Sequence, residues 1–234
     1  MKNIRTAIVI FPSTNCDFDI EHILSDVLGA RGQRIWYKDI ISENYLEIYD
    51  GIIIPGGFSY GDYLRAGAIA ARTPAMKYIK KFASQGLPVL GICNGFQVLC
   101  ESGLLPGSLT VNKSTRFICE WDFLRVEHNR NLFTKFYENF EVIRMPIAHR
   151  EGRYVADGKT LSGMEDNQQV LFRYCDRMGN VTDEVNPNGS SFNIAGIASS
   201  EGNVVGLMPH PERASEYILG GDDGKRMFSG MLSG

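Results

Sequence analysis

Short apolar runs alternate with amphipathic segments through the first half of this chain. The apolar runs predict strands at residues 6–11, 34–37, 51–54 and 88–92, and the amphipathic segments predict helices over 17–28 and within 66–83. Such alternation is typical of an α/β fold, with an open, mostly parallel sheet and helices on both faces. In such folds the reactive groups collect at the carboxyl ends of the strands.

The second half of the chain becomes strand-rich from about residue 123. Strands are predicted at 140–146, 170–174, 194–199 and 204–208, and a surface loop at 180–191. A short helix is expected from 211 or 212 toward 217, and another near the C-terminus. A length of 234 residues fits one domain, which we place over residues 1–234.

Composition and charge argue against some classes of binding partner for this chain. The chain has 44% hydrophobic and 22% charged residues with a net charge of −3, which gives no electrostatic reason to expect nucleic acid or an anionic membrane as a partner. The apolar run at 7–11 is too short for a signal segment, and no stretch is long enough to span a bilayer.

Five scattered cysteines, without a C-x-x-C pair, favour a reducing cytoplasm and no metal site. Four of them are expected to be small buried hydrophobic residues: Cys16, Cys100, Cys119 and Cys175.

The fifth cysteine, Cys93, follows a buried strand and precedes a helical pattern. It lies within Gly91-Ile-Cys-Asn-Gly95, which resembles a nucleophile elbow. The tight turn would expose the sulfur, the helix N-terminus would favour the thiolate, and the N–H of Asn94 would form half of an oxyanion hole. A core position is the usual outcome for a single cysteine, but the two flanking glycines favour the functional interpretation.

A second strand end is also unusual. The run at 51–54 ends at Pro55-Gly56-Gly57 and opens into a glycine-rich loop that continues to Gly67. Gly56 and Gly57 are the candidates for the other oxyanion donor, although a Gly-Gly pair alone is also an ordinary tight turn.

A thiol nucleophile needs a base and a group that orients the base. Two of the four histidines fall in a predicted helix or surface turn, His22 and His128. The other two each precede a glutamate by two residues, in His149-Arg-Glu151 and His210-Pro-Glu212. Pro211 restricts the backbone and so favours His210 with Glu212, while His149 with Glu151 stays open on this chemistry.

Gly158-Lys-Thr160 resembles the end of a phosphate-binding loop, but the required earlier glycine is missing, because Arg153 stands at its position. We therefore expect any ATP-driven step to take place on another chain.

The two motifs around Cys93 and His210 closely resemble those of the class I (triad) glutamine amidotransferases, which have a flavodoxin-like fold. Within that superfamily the chain is similar to the glutaminase subunits of phosphoribosylformylglycinamidine synthase. This closer similarity rests on longer signatures spread over nearly the whole chain: Asn15-Cys-Asp17, the loop from Pro55 to Gly67, Pro146-Ile-Ala-His149, Glu151-Gly-Arg-Tyr154 and Asn186-Pro-Asn-Gly-Ser190.

The resemblance implies a role for each of these residues. The catalytic triad maps onto Cys93, His210 and Glu212, and the oxyanion and substrate-binding positions map onto Gly57, Asn94 and Gln97. Asn112-x-Ser114 with Phe117 matches the place where relatives contact the amino-acid end of glutamine. His149 and Glu151 would serve docking or ammonia passage, and Arg150 stands where glycine is expected.

The resemblance also implies an activity and its partners. The chain would hydrolyse L-glutamine to glutamate and ammonia, and supply the ammonia to a large ATP-dependent synthase subunit that makes formylglycinamidine ribonucleotide in de novo purine biosynthesis. A small third subunit would bridge the two. This chain would carry no cofactor or metal, and ATP and Mg²⁺ would bind the synthase subunit.

Two alternatives remain at this point. One is a glutaminase that serves another acceptor pathway. The other is a non-catalytic stress protein with a similar elbow, although such proteins often place histidine directly after the cysteine, where this chain has Asn94.

Overall fold

The computed structural model describes residues 4–233, apart from the side chain of Glu43. The strands in this part of the chain are β1 Arg5–Ile10, β2 Arg31–Trp36, β3 Gly51–Ile54, β4 Val89–Ile92, β5 Ser108–Thr110, β6 Ile118–Val126, β7 Val142–His149, β8 Arg153–Val155, β9 Val170–Cys175, β10 Ile194–Ala198 and β11 Val204–Leu207. The α-helices are α1 Asp17–His22, α2 Ala75–Ser84, α3 Asn94–Glu101, α4 Gly158–Asp166 and α5 Lys225–Met231.

A large mixed sheet has the strand order β2-β1-β3-β4-β11-β10-β9-β6-β7, and β5 pairs with β8 in a separate ribbon. Neighbouring strands are parallel from β2 to β11 and antiparallel from β11 to β7. The predicted α/β fold is confirmed, and its parallel part is extended by an antiparallel arm. A single domain over 1–234 stays a prediction.

The central parallel strands have the composition that burial on both faces requires. β3 and β4 are buried at every position, and strands covered on both faces read as continuous apolar runs. Helix α2 buries one stripe of its surface, namely Ala75, Met76, Ile79, Phe82 and Ala83. That spacing follows the helical period, so α2 lays an apolar face on the sheet.

The strand order determines where a site can form. The chain passes from β1 to β2 on one side and then to β3 on the other. Because such crossovers are right-handed, the connecting helices fall on opposite faces, and a crevice opens at the carboxyl ends of β1 and β3. β4 and β11 lie side by side with Leu207 opposite Ile92. The segments that follow them, which carry Cys93 and His210, therefore emerge at the same edge.

Several predicted helices differ in extent. The segment 17–28 is α1 followed by a π-helical turn, Ile23–Val27. Within 66–83 the α-helix begins only at Ala75, because Thr73 precedes Pro74 and is extended, with φ −68° and ψ 151°. The helix expected from 211 is a single 3₁₀ turn, Pro211–Ala214.

Other predictions were wrong or incomplete. Cys119 lies on β6 and is exposed, so its predicted burial was wrong, whereas Cys16, Cys100 and Cys175 are buried. Helix α4 was not predicted, although Asp157 caps it by accepting the N–H of Thr160 at 2.9 Å. The Gly158-Lys-Thr160 segment is the first turn of that helix. Within residues 4–233, no helix is both apolar and long enough to cross a membrane.

Candidate active site

Cys93 lies in a strained turn between β4 and α3. Its φ is +50° and its ψ is −103°, a backbone conformation that residues other than glycine rarely adopt. A Cβ atom on Gly95 would lie 1.9 Å from the carbonyl oxygen of Ile54, and one on Gly91 would lie 2.7 Å from that of Gly95. The start of α3 thus packs directly on β3, which holds Cys93 in this turn at the positive end of the helix.

His210 and Glu212 form a buried pair beside this turn. Nδ1 of His210 lies 2.6 Å from Oε1 of Glu212, and each residue is only 1% exposed. His210 is extended, with φ −104° and ψ 90°, before Pro211. The two side chains therefore reach the same side of the backbone, and Nε2 of His210 has no hydrogen-bond partner among the described residues.

The charges around His210 favour its protonated form. Burial lowers the pKa of His210, but its electrostatic interactions with Glu212 and Cys93 raise the pKa by more than burial lowers it, so the net pKa lies well above its usual value. Burial raises the pKa of the Glu212 carboxyl, yet the positive charge of His210 holds it below its usual value. The buried pair therefore favours an imidazolium beside a carboxylate.

Cys16 adds a second thiol to this cluster. Its Sγ, a ring nitrogen of His210 and a carboxylate oxygen of Glu212 lie within 4.8 Å of one another. However, Nη2 of Arg213 lies 3.2 Å from the Cys16 sulfur, and Nδ1 of His210 is already bonded to Glu212. The guanidinium charge disfavours a cation here, and the cluster fits a hydrogen-bonded network better than a metal site.

The free edge of β7 holds three segments of the site. Alternate carbonyl groups of the strand point away from β6 and accept hydrogen bonds from elsewhere. Within the strand, Pro146 accepts the N–H of His210 at 2.8 Å and Ala148 accepts the thiol of Cys93 at 3.7 Å. Directly after the strand, Arg150 accepts the N–H of Asn112 at 2.8 Å. The antiparallel arm therefore fixes His210 and Cys93 against one strand edge.

The side chains of Asn94 and Gln97 connect α3 to two loops. Asn94 accepts the N–H of Ser59 at 3.1 Å and donates to Oε1 of Gln97 at 2.9 Å. Gln97 in turn donates to the carbonyl of Glu151 at 2.7 Å. The glycine-rich loop after β3 and the loop after β7 are thus positioned by the helix that begins at the candidate nucleophile.

Gly57 lies where only glycine fits. Its φ is +152°, and a Cβ atom would lie 2.8 Å from both the carbonyl oxygen of Ser13 and the Cα of Thr14. Together with Cys93 and Gln97, it borders a cavity of about 340 Å³. This volume is suited to one small molecule. Phe117, His149 and Glu151 border the same cavity.

Comparison with known proteins identifies the family. A family model described as a CobB/CobQ-like glutamine amidotransferase domain matches residues 3–220. A Methanosarcina acetivorans protein named phosphoribosylformylglycinamidine synthase subunit PurQ is 57% identical over 227 residues, which cover 97% of this chain and 96% of that protein. A Pyrococcus furiosus protein of the same name is 52% identical, covering 98% and 97%. This chain belongs to the PurQ family of glutamine amidotransferases.

Solved structures agree with this membership. A chain in the structure of PurLQS from Thermotoga maritima has a TM-score of 0.86 and 43% identity, covering 99% of this chain and 98% of that one. A glutamine amidotransferase from the same organism has a TM-score of 0.61 at 16% identity, a likeness that shows the fold alone. The predicted resemblance and the predicted class I amidotransferase fold are confirmed.

Several residues of this PurQ-family site were not singled out from the sequence. Ser59 and Asp62 belong to the glycine-rich loop, and burial, together with the charge of Glu151, raises the pKa of the Asp62 carboxyl to about 6. Ala148 contributes only its backbone carbonyl, so its side chain gives no signal in the sequence. Asn112, which the resemblance placed at the amino-acid end of glutamine, is 1% exposed and bonded to the ring of His149.

Proposed function

We propose that this chain hydrolyses L-glutamine to glutamate and ammonia, and supplies the ammonia to the synthase that makes formylglycinamidine ribonucleotide in purine biosynthesis. One observation carries the hydrolytic part: a cysteine in a strained strand-to-helix turn lies beside a buried His210–Glu212 pair. The names of the full-length relatives support the synthase as acceptor of the ammonia.

In the proposed mechanism, the thiolate of Cys93 attacks the carboxamide carbon of glutamine. The backbone N–H groups of Gly57 and Asn94 receive the developing oxyanion. The N–H of Asn94 is available because it belongs to the first residue of α3, where no intrahelical acceptor exists. Each such donor contributes about 3 kcal/mol of transition-state stabilisation, or a hundredfold or more in rate.

His210 transfers the proton that the leaving nitrogen needs, and a γ-glutamyl thioester remains on Cys93. The neutral imidazole then takes a proton from water, which attacks the thioester and releases glutamate. Glu212 holds the ring by its 2.6 Å hydrogen bond and stabilises the imidazolium. Gln97 borders the cavity and contributes to binding the substrate.

The proposed partners are a large synthase subunit, which binds ATP and Mg²⁺, and a small bridging subunit, with the complex in the cytoplasm. This chain itself carries no cofactor or metal in the proposal. The similarity to a chain in the structure of PurLQS from Thermotoga maritima supports a three-part complex. Without its partners the chain should hydrolyse glutamine slowly, since uncoupled hydrolysis would waste glutamine.

The experiment compares glutamine-dependent and ammonia-dependent synthesis in the reconstituted complex. Cys93→Ala and His210→Ala should abolish glutamine hydrolysis while ammonia-dependent synthesis continues. Cys119→Ala, which changes an exposed cysteine, is the matched control and should leave both activities intact. Glutamine hydrolysis at the normal rate by Cys93→Ala would refute the mechanism. Transfer of the ammonia only to a different synthase would refute the proposed acceptor.

A further inference from the structure

His149 is a second buried histidine beside Cys93. It is the last residue of β7, it is 3% exposed, and it is one of the residues that border the same cavity as Cys93. Its ring lies flat against the loop that follows, because a Cβ atom on Gly152 would lie 2.3 Å from both Nδ1 and Cε1. The ring is therefore held in one orientation.

Hydrogen bonds around Asn112 fix the tautomer of this ring. The amide nitrogen of Asn112 donates to the carbonyl groups of Arg116 and His149, each at 2.9 Å. Its amide oxygen accepts the N–H of Gly152 at 3.0 Å, so the amide cannot be reversed. Nδ1 of His149 lies 3.2 Å from that same oxygen and must donate a proton to it. Nε2 of the neutral ring is consequently the acceptor.

The ring is also neutral at physiological pH. Burial and the positive charge of His210 lower the pKa of His149 to about 4. Nε2 thus presents a lone pair, and it has no hydrogen-bond partner among the described side chains and backbone groups. A buried acceptor without a donor destabilises a protein, which indicates that a ligand or solvent supplies the donor.

The proposed reaction brings suitable donors into this cavity. The carboxamide of glutamine carries an NH₂ group, and the ammonia that leaves has three N–H bonds. The carboxylate of the glutamate product has no donor and would face the lone pair unfavourably. A hydrogen-bond acceptor that carries no proton to give can hold ammonia without converting it to ammonium. The ammonia then remains a nucleophile, whereas ammonium is not one.

We propose that Nε2 of His149 accepts a hydrogen bond from the carboxamide nitrogen of bound glutamine and then from the departing ammonia. This inference rests on the proposed function and deepens it. His149 orients the leaving group while Cys93 attacks, and ammonia begins its passage to the synthase as the neutral molecule. His210 still donates the proton that converts the leaving NH₂ group to ammonia.

Two substitutions separate the two ring nitrogens. His149→Asn places an amide nitrogen near the position of Nδ1, so it keeps the bond to Asn112 and removes the acceptor at Nε2. His149→Gln can place its amide oxygen near the position of Nε2, so it restores an acceptor. Both variants should be assayed in the full complex with glutamine and with the γ-methyl ester of glutamate, whose leaving group has no N–H bond.

For His149→Asn, kcat/KM should fall about tenfold with glutamine and change less than twofold with the ester, since one substrate hydrogen bond is lost. His149→Gln should recover most of the activity with glutamine. Because one preparation is assayed with both substrates, any loss of folded protein cancels from the ratio. Equal losses for both substrates, no loss for either, or no recovery with His149→Gln would overturn the proposal.

The same assay separates this proposal from the proposed function. If Cys93→Ala hydrolyses glutamine normally, the glutaminase mechanism fails. If Cys93→Ala is inactive but His149→Asn affects both substrates equally, only the role of His149 fails.

Discussion

The side-chain oxygen of Asn94 accepts a hydrogen bond from the backbone N–H of Ser59, with 3.1 Å between the two atoms. Asn94 follows the candidate nucleophile, and Ser59 belongs to the glycine-rich loop after β3. Both residues are 2% exposed. The loop that carries Gly57 is therefore held at a fixed distance from the turn that carries Cys93.

Asn94→Ala should loosen this connection. The substitution leaves the N–H of Ser59 buried without its acceptor, which should lower the free energy of unfolding by about 1–3 kcal/mol. It should also reduce glutamine hydrolysis, because the two proposed oxyanion donors lose their relative position. Chemical denaturation and hydrolysis by the complex measure the two effects. Asn167→Ala, at an exposed position, is the control, and equal stability of the two variants would contradict the prediction.

Gly95→Ala should disrupt the turn around Cys93. The new methyl group would lie 1.9 Å from the carbonyl oxygen of Ile54, so α3 must move away from β3. We expect a loss of about 3 kcal/mol or more in unfolding free energy, and little hydrolysis. Gly163→Ala is the matched control inside α4, where the methyl group meets nothing within 4 Å. It should stabilise the protein by about 0.5–1 kcal/mol, and similar effects of the two changes would refute this account.

Glu212→Gln should change the pH dependence of hydrolysis. The charge of Glu212 raises the pKa of His210, so its removal lets the imidazolium lose its proton at a lower pH. The alkaline limb of the pH–rate profile should move to lower pH, and kcat should fall by roughly tenfold to thousandfold. Asp19→Asn removes an exposed carboxylate that also interacts with His210, and should shift the limb less. An unmoved alkaline limb in Glu212→Gln would argue against the assignment.

Asp122→Asn should stabilise the protein at alkaline pH. Burial and the charge of Glu120 raise the pKa of Asp122 from 3.8 to about 7, so the stability that it contributes at low pH is lost as the pH rises through about 7. Relative to the wild type, the variant should gain about 2 kcal/mol in unfolding free energy between pH 5 and pH 8. Asp166→Asn, at an exposed position, should show no such gain. If the difference in unfolding free energy between Asp122→Asn and the wild type did not change with pH, the pKa of Asp122 would be ordinary.

The central strands of the parallel part were predictable because β3 and β4 are continuous apolar runs. The turn at Cys93 was predictable because the close contacts at Gly91 and Gly95 require glycine, and these glycines are visible in the sequence. The exposure of Cys119 could not be read in this way. It depends on which face of β6 is covered, and no local pattern encodes that.

The sequence also could not show how the edge of β7 is used. The carbonyl groups of Pro146 and Ala148 contact His210 and Cys93, but backbone groups are the same for every residue type. Nor could the spacing of His149 and Glu151 show that the ring bonds to Asn112 and not to the glutamate. Both features depend on where distant segments meet, which is a property of the tertiary structure.

The most direct test of the central claim is covalent labelling by an electrophile shaped like glutamine, followed by peptide mass mapping. If Cys93 is the nucleophile activated by His210, one equivalent of label should appear on Cys93 and none on the exposed Cys119. The rate of labelling at Cys93 should fall sharply in His210→Ala. Label on another residue together with loss of hydrolysis, or labelling of Cys93 at the same rate in His210→Ala, would contradict the account.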